Sequence, residues 1–121
     1  LLDVLLQYLP MDDQSQKDLR VWVAFYSRSL INEDAATYIR SFYAEAKRKL
    51  SRYLQTYEGK EEQEAEEITI AIQTAVDGLA LRALGDLARW PADKQRAQIE
   101  ATVDRLINAG ASASHYREKT K

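Results

Sequence analysis

The chain of 121 residues contains no cysteine, one histidine, two prolines and four glycines. The absence of cysteine excludes a disulfide framework and thiolate metal sites, and it fits the reducing environment of the cytoplasm. The single histidine, His115, lies in a polar C-terminal segment, so neither a histidine-based catalytic triad nor a multi-histidine metal site can be assembled. We therefore expect no catalytic residues, no metal site and no cofactor.

An excess of one charge and a long apolar run are also missing. The formal net charge is -2, so no overall field attracts the chain to nucleic acid or to an anionic membrane. No uninterrupted apolar run approaches the roughly 20 residues of a membrane span. The chain begins inside an apolar pattern and without an initiator methionine, which predicts a fragment of a longer cytoplasmic protein.

Helical periodicity is present along nearly the whole chain. Apolar residues recur at helical spacing with few breakers between them, which predicts an all-α fold, an antiparallel bundle of about five helices. We expect the ends to be set by Asp residues near Asp12 and by Asn32 as N-caps, and by Gly59 and Gly110 as C-terminal glycines. The predicted helices cover residues 1–9, 13–30, 33–57, 61–87 and about 91–109.

The fourth predicted helix is apolar on two sides. One face carries Ile68, Ile72, Val76 and Leu79, and another carries Ile70, Ala71, Leu81 and Leu84. A helix that is apolar on two sides must be covered on both, and a second copy of the chain is a natural source of the second cover. A glycine inside a helix costs about 1 kcal/mol relative to alanine, so Gly78 predicts a close approach by another helix.

Two charged runs have a simple interpretation. The acidic run from Glu61 to Glu67 has no histidine with which to form a bundle metal site, and acids in a first turn are favoured by the helix dipole. The basic run from Lys47 to Arg52 follows the outer face of an amphipathic helix. We expect both runs to be solvated rather than to bind metal or nucleic acid.

Aromatic residues are concentrated on the second and third predicted helices, where Trp22, Tyr26, Phe42 and Tyr43 are examples. Core packing and the lining of a small-molecule pocket both remain open for these rings. Tyrosine hydroxyls and nearby serines favour a pocket, since ligand sites combine apolar walls with a few polar groups. Asp77, in an apolar stretch, either reaches a polar partner or faces a wet cavity.

The sequence resembles the C-terminal regulatory half of TetR-family transcriptional repressors. The resemblance rests on residues 9–12 (LPMD), 20–25 (RVWVAF) and 75–84 (AVDGLALRAL), and it extends from Leu1 to Leu106. The branch that it most resembles contains the betaine-pathway repressors. Such proteins dimerise through their last two long helices and enclose a small-molecule inducer that releases operator DNA.

The resemblance implies a set of site residues and partners. The helix-turn-helix domain of the family is absent from this chain, so operator DNA would be bound only through that missing N-terminal domain. The implied partners are a second copy of the chain and a hydrophobic or cationic inducer. The implied ligand-binding residues are Trp22, Phe25, Tyr26, Ser29, Tyr43, Thr74 and Asp77. The implied dimer-interface residues are Gly78, Leu81, Leu84, Ile99, Val103 and Leu106.

We expect a sensing and dimerisation domain over residues 1–110, followed by a polar tail over residues 111–121. Two other classes of function are considered beside it. A ligand-free helical interaction or scaffold module would use all the aromatics as core, and a solvent-accessible cavity would argue against it. A small carboxylate enzyme is disfavoured by the scarcity of histidine.

Overall fold

The computed structural model contains five α-helices and, within residues 1–120, no β-strand. It describes the backbone of residues 1–120 and the side chains of residues 1–109. The helices are α1 (Leu2–Leu6), α2 (Asp13–Ser29), α3 (Glu33–Tyr57), α4 (Glu62–Gly85) and α5 (Ala92–Thr120). The prediction of an all-α fold with about five helices is confirmed.

Local side-chain chemistry sets several helix ends. Asp12 accepts a hydrogen bond from the Ser15 amide at 2.8 Å, and the Ser15 hydroxyl accepts one from the Asp12 amide, which completes a capping box. Asn32 accepts the Ala35 amide at 3.0 Å and begins α3 in the same way. Gly59 follows α3 with a φ of +65°, the left-handed conformation that a glycine adopts without strain. These caps agree with the sequence prediction.

Three predicted boundaries differ from the structure by two residues or more. The first helix ends at Leu6 instead of Leu9, because the chain tightens into turns ahead of Pro10, whose ring cannot continue a helix. The fourth helix ends at Gly85 instead of Leu87. The prediction that Gly110 ends the last helix is wrong, since α5 continues to Thr120. One glycine costs a helix about 1 kcal/mol, which weakens the helix without stopping it.

The core forms around α4, which packs against both α3 and α5. Ile72 and Ala83 of α4, Leu54 of α3 and Ile99 of α5 are almost completely buried there. By length and composition alone α4 could cross a membrane, but one of its apolar faces packs into this core. Burial of this face therefore accounts for part of the high apolar content of α4.

The second apolar face of α4 stays open in the single chain. Ile70 is 48% exposed and Leu81 is 56% exposed, and Gly78 lies between them on the same side of the helix. A Cβ atom added at Gly78 would meet no atom within 4 Å in the described part of the chain. The described part of the chain therefore gives no reason for a glycine at this position.

Candidate functional site

A cavity of about 500 Å³ lies between α2, α3 and α4, and the segment after α1 closes one end. Its volume falls inside the range of roughly 300–1,000 Å³ that is usual for ligand pockets. Tyr26 at its wall is 41% exposed, so a solute can reach the space from solvent. The lining consists of Gln7, Tyr8, Ser15, Asp18, Leu19, Trp22, Val23, Tyr26, Ser27, Phe42, Tyr43, Asp77, Ala80 and Leu81.

Aromatic rings form much of the cavity wall. The Trp22 and Phe42 ring centroids are 4.8 Å apart, and the Phe42 ring contacts the Tyr43 ring edge-on at 5.6 Å. Tyr8 and Tyr26 add two further rings. The helical spacing of Leu19, Trp22, Val23 and Tyr26 places one continuous face of α2 against the space. Such a wall can hold an apolar body by burial, and it can attract a cation through the faces of its rings.

Asp77 is the central polar residue of the site. Its Oδ2 accepts a hydrogen bond from the Tyr43 hydroxyl at 2.8 Å, which joins α4 to α3 across the cavity wall. Partial burial raises the pKa of the Asp77 carboxyl, while the hydrogen bond from Tyr43 opposes that rise. The pKa of Tyr43 is raised well above its ordinary value, first by burial, then by its hydrogen bond to Asp77 and by the charge of that carboxylate.

The charged groups of the lining are both acidic. Asp18 and Asp77 reach the cavity, and the part of its wall that the structure describes contains no lysine or arginine. Asp18 accepts a hydrogen bond from the Gln14 amide at 2.9 Å on the surface of α2. Two carboxylates within an aromatic lining disfavour an anionic solute and favour a cationic one.

A second cavity of about 350 Å³ lies on the other side of the Tyr43–Asp77 pair. It is formed by α1, α3 and α4, and its lining shares Tyr8, Phe42, Tyr43 and Asp77 with the first cavity. The carboxyl of Asp77 is therefore accessible from both spaces. Within residues 1–109, no cluster of three or more His, Cys, Asp or Glu side chains could hold a metal ion.

Four of the predicted ligand-binding residues lie at the first cavity: Trp22, Tyr26, Tyr43 and Asp77. The alternatives left open for Asp77, a polar partner and a cavity, are both present. These four side chains come from three helices, so the fold brings them together from distant parts of the sequence.

The other three predicted residues point elsewhere. Phe25 packs edge-on against Tyr38 at 5.4 Å, outside the lining. The buried Ser29 hydroxyl donates to the Tyr26 carbonyl oxygen, and the Thr74 hydroxyl donates to the Ile70 carbonyl oxygen at 2.8 Å. Each hydroxyl is satisfied within its own helix, and we therefore propose no ligand contact for these residues.

Sequence reasoning did not assign Tyr8, Asp18, Leu19 or Phe42 to the site, although all four line it. A signal existed for Leu19, which belongs to the same apolar stripe of α2 as Trp22 and Tyr26. Phe42 adjoins Tyr43 in the aromatic cluster. For Tyr8 and Asp18 we find no signal, because their position depends on how the chain turns after α1.

The predicted dimer residues fall into three groups. Gly78 and Leu81 lie on the open face of α4, although Leu81 also borders the first cavity. Leu84 and Leu106 are half-buried. Ile99 and Val103 are only 1% and 7% exposed, because they pack into the core of their own chain. Neither is free to contact a partner, so the interface proposed below is drawn without them.

Comparison with known proteins identifies the family. A family model described as the C-terminal region of BetI-type transcriptional repressors matches residues 1–108. No curated protein and no solved structure matches the chain. The family match covers the helices that form the core, the cavities and the described part of the open face of α4. The chain therefore belongs to the family of BetI-type transcriptional repressor C-terminal domains.

Proposed function

We propose that this chain is the effector-sensing and dimerisation half of a cytoplasmic transcriptional repressor, and that its first cavity binds a small organic cation as the inducer. The observation that carries the proposal is the Asp77 carboxyl in an aromatic-lined cavity whose described charged groups are both acidic. A scaffold module would need neither the open cavity nor a carboxyl held at its wall.

The chemistry of the cavity favours an ammonium group. Asp77 supplies a negative charge, and Trp22, Tyr26 and Phe42 supply ring faces around the same space. Each well-placed ring contributes about 0.5–2 kcal/mol to the binding of a cation, depending on its desolvation. The bound cation in turn favours the ionised form of Asp77, which offsets the cost of removing that carboxyl from water.

The cavity also contacts the N-terminal segment, through which ligand binding would change the position of a DNA-binding domain. Gln7 and Tyr8, which directly follow α1, form part of its wall. A ligand there contacts the N-terminal segment together with α2, α3 and α4. In the proposed repressor, this contact shifts the position of an N-terminal helix-turn-helix domain, through which alone the operator is bound.

The open face of α4 supports a symmetric homodimer. It combines the exposed Ile70 and Leu81 with Gly78, where the space beside the backbone is empty in the single chain. The 24 residues of α4 span about 36 Å, enough for two copies to cross. A stable interface of this kind buries on the order of 1,500 Å², with Leu84 and Leu106 beside the crossing in the proposed dimer.

Calorimetric titration with tetramethylammonium tests the ligand proposal. The wild-type chain is expected to bind this cation, and Asp77→Asn is expected to bind it about tenfold more weakly, because the attraction between the carboxylate and the cation is lost. The substituted amide keeps the shape of the side chain and an oxygen for the Tyr43 hydroxyl. Asp13→Asn, on the exposed first turn of α2, is the matched control and should bind like the wild type. Equal binding by Asp77→Asn and the wild type would contradict the proposal.

A further inference from the structure

We infer that the second cavity belongs to the same binding site, and that the ligand class is an elongated organic cation with an unbranched apolar arm. The ammonium group lies at the Tyr43–Asp77 pair, and the arm extends between α1, α3 and α4 into the second cavity. This inference rests on the proposed function, because it takes the cation at Asp77 as its starting point.

The two cavities meet at one cluster of side chains. Tyr8, Phe42, Tyr43 and Asp77 line both spaces, and no other residue does. The Tyr43–Asp77 hydrogen bond of 2.8 Å lies at this boundary. A ligand that reaches Asp77 from the first cavity is therefore already at the entrance of the second.

Asp77 has one oxygen available for such a ligand. Oδ2 accepts the Tyr43 hydroxyl, whereas Oδ1 accepts no hydrogen bond from the side chains and amides of residues 1–109. Asp77 is exposed, so this oxygen is open to an approaching solute. A quaternary ammonium group has no N–H to donate, and it pairs with this oxygen through its charge, without breaking the bond between α3 and α4.

The second cavity is suited to an apolar arm. Its wall includes Val4, Leu5, Ala46, Leu50, Tyr53 and Val76. Apart from Asp77, its charged residue is Lys49, whose side chain is 71% exposed and lies 3.6 Å from the Glu45 carboxylate. Because that ammonium is paired outside the cavity, the space beyond Asp77 offers burial rather than a second ionic contact.

A series of n-alkyltrimethylammonium ions, from methyl to hexyl, tests the inference on the intact chain. Affinity is expected to rise with each added methylene, by up to about fourfold per group fully buried. The ions are used below the concentrations at which they form micelles, so that detergent action does not contribute. Affinity that is independent of chain length, with the methyl member bound, would overturn the inference and leave the proposed function standing.

Ala46→Phe places a ring in the second cavity alone and provides the decisive variant. It is expected to bind tetramethylammonium like the wild type and to lose the gain from longer chains. Ala44→Phe is the matched control on the same helix, because Ala44 is exposed and lines neither cavity. This control should keep the full dependence on chain length.

Val4→Phe, which fills the same cavity from α1, serves as a second variant if Ala46→Phe does not fold. Circular dichroism and thermal unfolding identify the folded variants before titration. Retention of the chain-length gain in a folded cavity-filling variant would overturn the inference, because the arm would then lie elsewhere. Failure of the wild type to bind any member of the series would overturn the proposed function and the inference together.

Discussion

At the level of single residues, the Tyr43 hydroxyl affects the pKa of Asp77 in the candidate site. Burial favours the neutral form of Asp77, whereas the hydrogen bond from Tyr43 favours the carboxylate. The balance between these two effects decides the pH at which Asp77 loses its negative charge. Asp18, from α2, is the other acidic group that faces this space, and Tyr8 and Tyr26 add further titratable groups.

Tyr43→Phe is expected to raise the pKa of Asp77 further, because it removes the donor and leaves the burial. A cation binds the ionised carboxylate, so affinity falls as the pH decreases through this pKa. In Tyr43→Phe the loss should therefore begin at a higher pH than in the wild type. Titrations with tetramethylammonium, whose charge does not vary with pH, measure the shift.

Tyr26→Phe is the control for this pH experiment, since Tyr26 lines the same cavity and donates no hydrogen bond to Asp77. Its profile of affinity against pH should coincide with that of the wild type. The contribution of Asp77 itself is identified by Asp77→Asn, which should lose this pH dependence. A Tyr43→Phe profile identical to the wild-type profile would show that the hydrogen bond does not tune Asp77.

Residues of the candidate site could be predicted where the sequence pattern set them apart from their neighbours. Trp22 and Tyr26 share one stripe of α2, and Asp77 is conspicuous within an apolar helix, which suggested a cavity but left other roles open for all three. The family resemblance then implied that they bind a ligand, and all three line the first cavity. Thr74 and Ser29 could not be excluded from the sequence, because a hydroxyl can bond either to a ligand or to its own helix. Their backbone bonds appear only in the structure.

At the level of helices and turns, one fully buried glutamine links the two segments that connect α1 to α2 and α4 to α5. Gln95, at the start of α5, donates from Nε2 to the Pro10 carbonyl oxygen at 3.2 Å and to the Trp90 carbonyl oxygen at 2.8 Å. The first bond joins residues 85 positions apart in the chain. It fixes the turn between α1 and α2 against the connection between α4 and α5.

Gln95→Leu is expected to lower the free energy of unfolding by about 1–2 kcal/mol, because two carbonyl oxygens lose their donor in a buried place. The loss is limited because Oε1 of Gln95 has no partner among the described residues, and its removal relieves one unsatisfied atom. Urea denaturation measures the change. Gln98→Leu, on the exposed side of the same helix, is the control and should change the stability little. Equal stability of both variants would show that this glutamine does not stabilise the turn.

Helix ends were predictable to the extent that their causes are local. Asp12, Asn32 and Gly59 act within four residues of themselves, and each was recognised from the sequence. The early end of α1 and the bond from Gln95 to Pro10 depend on tertiary packing, which no local pattern encodes. Ile99 and Val103 show the same limit, because an apolar stripe does not reveal which helix covers it.

At the level of the whole molecule, a larger side chain on the open face of α4 should have opposite effects on the stability of a monomer and of a dimer. A Cβ atom at position 78 would meet no atom of the described residues within 4 Å, so Gly78→Leu should stabilise the helix of a monomer by up to about 1 kcal/mol. In the proposed dimer the same side chain overpacks a close helix crossing, which costs about 1–3 kcal/mol.

Sedimentation equilibrium distinguishes the two states. We expect the wild type to dimerise at micromolar concentrations and Gly78→Leu to dissociate more readily. Ala24→Leu, an exposed substitution on α2 outside both cavities, is the control and should sediment like the wild type. A monomeric wild type, or a Gly78→Leu variant that dimerises as tightly, would contradict the proposed interface.

The central claim is that the domain senses a positive charge within an aromatic cavity. The most direct test is thermal unfolding of the wild-type chain with tert-butylammonium or with tert-butanol, which have nearly the same shape and differ in charge. A ligand that binds only the folded state stabilises it, by about 2.7 kcal/mol at one hundred times its dissociation constant. The cation is expected to raise the midpoint of unfolding in the wild type more than in Asp77→Asn, and the alcohol is expected to affect both proteins equally. Equal stabilisation of the wild type by the alcohol and by the cation would contradict the central claim.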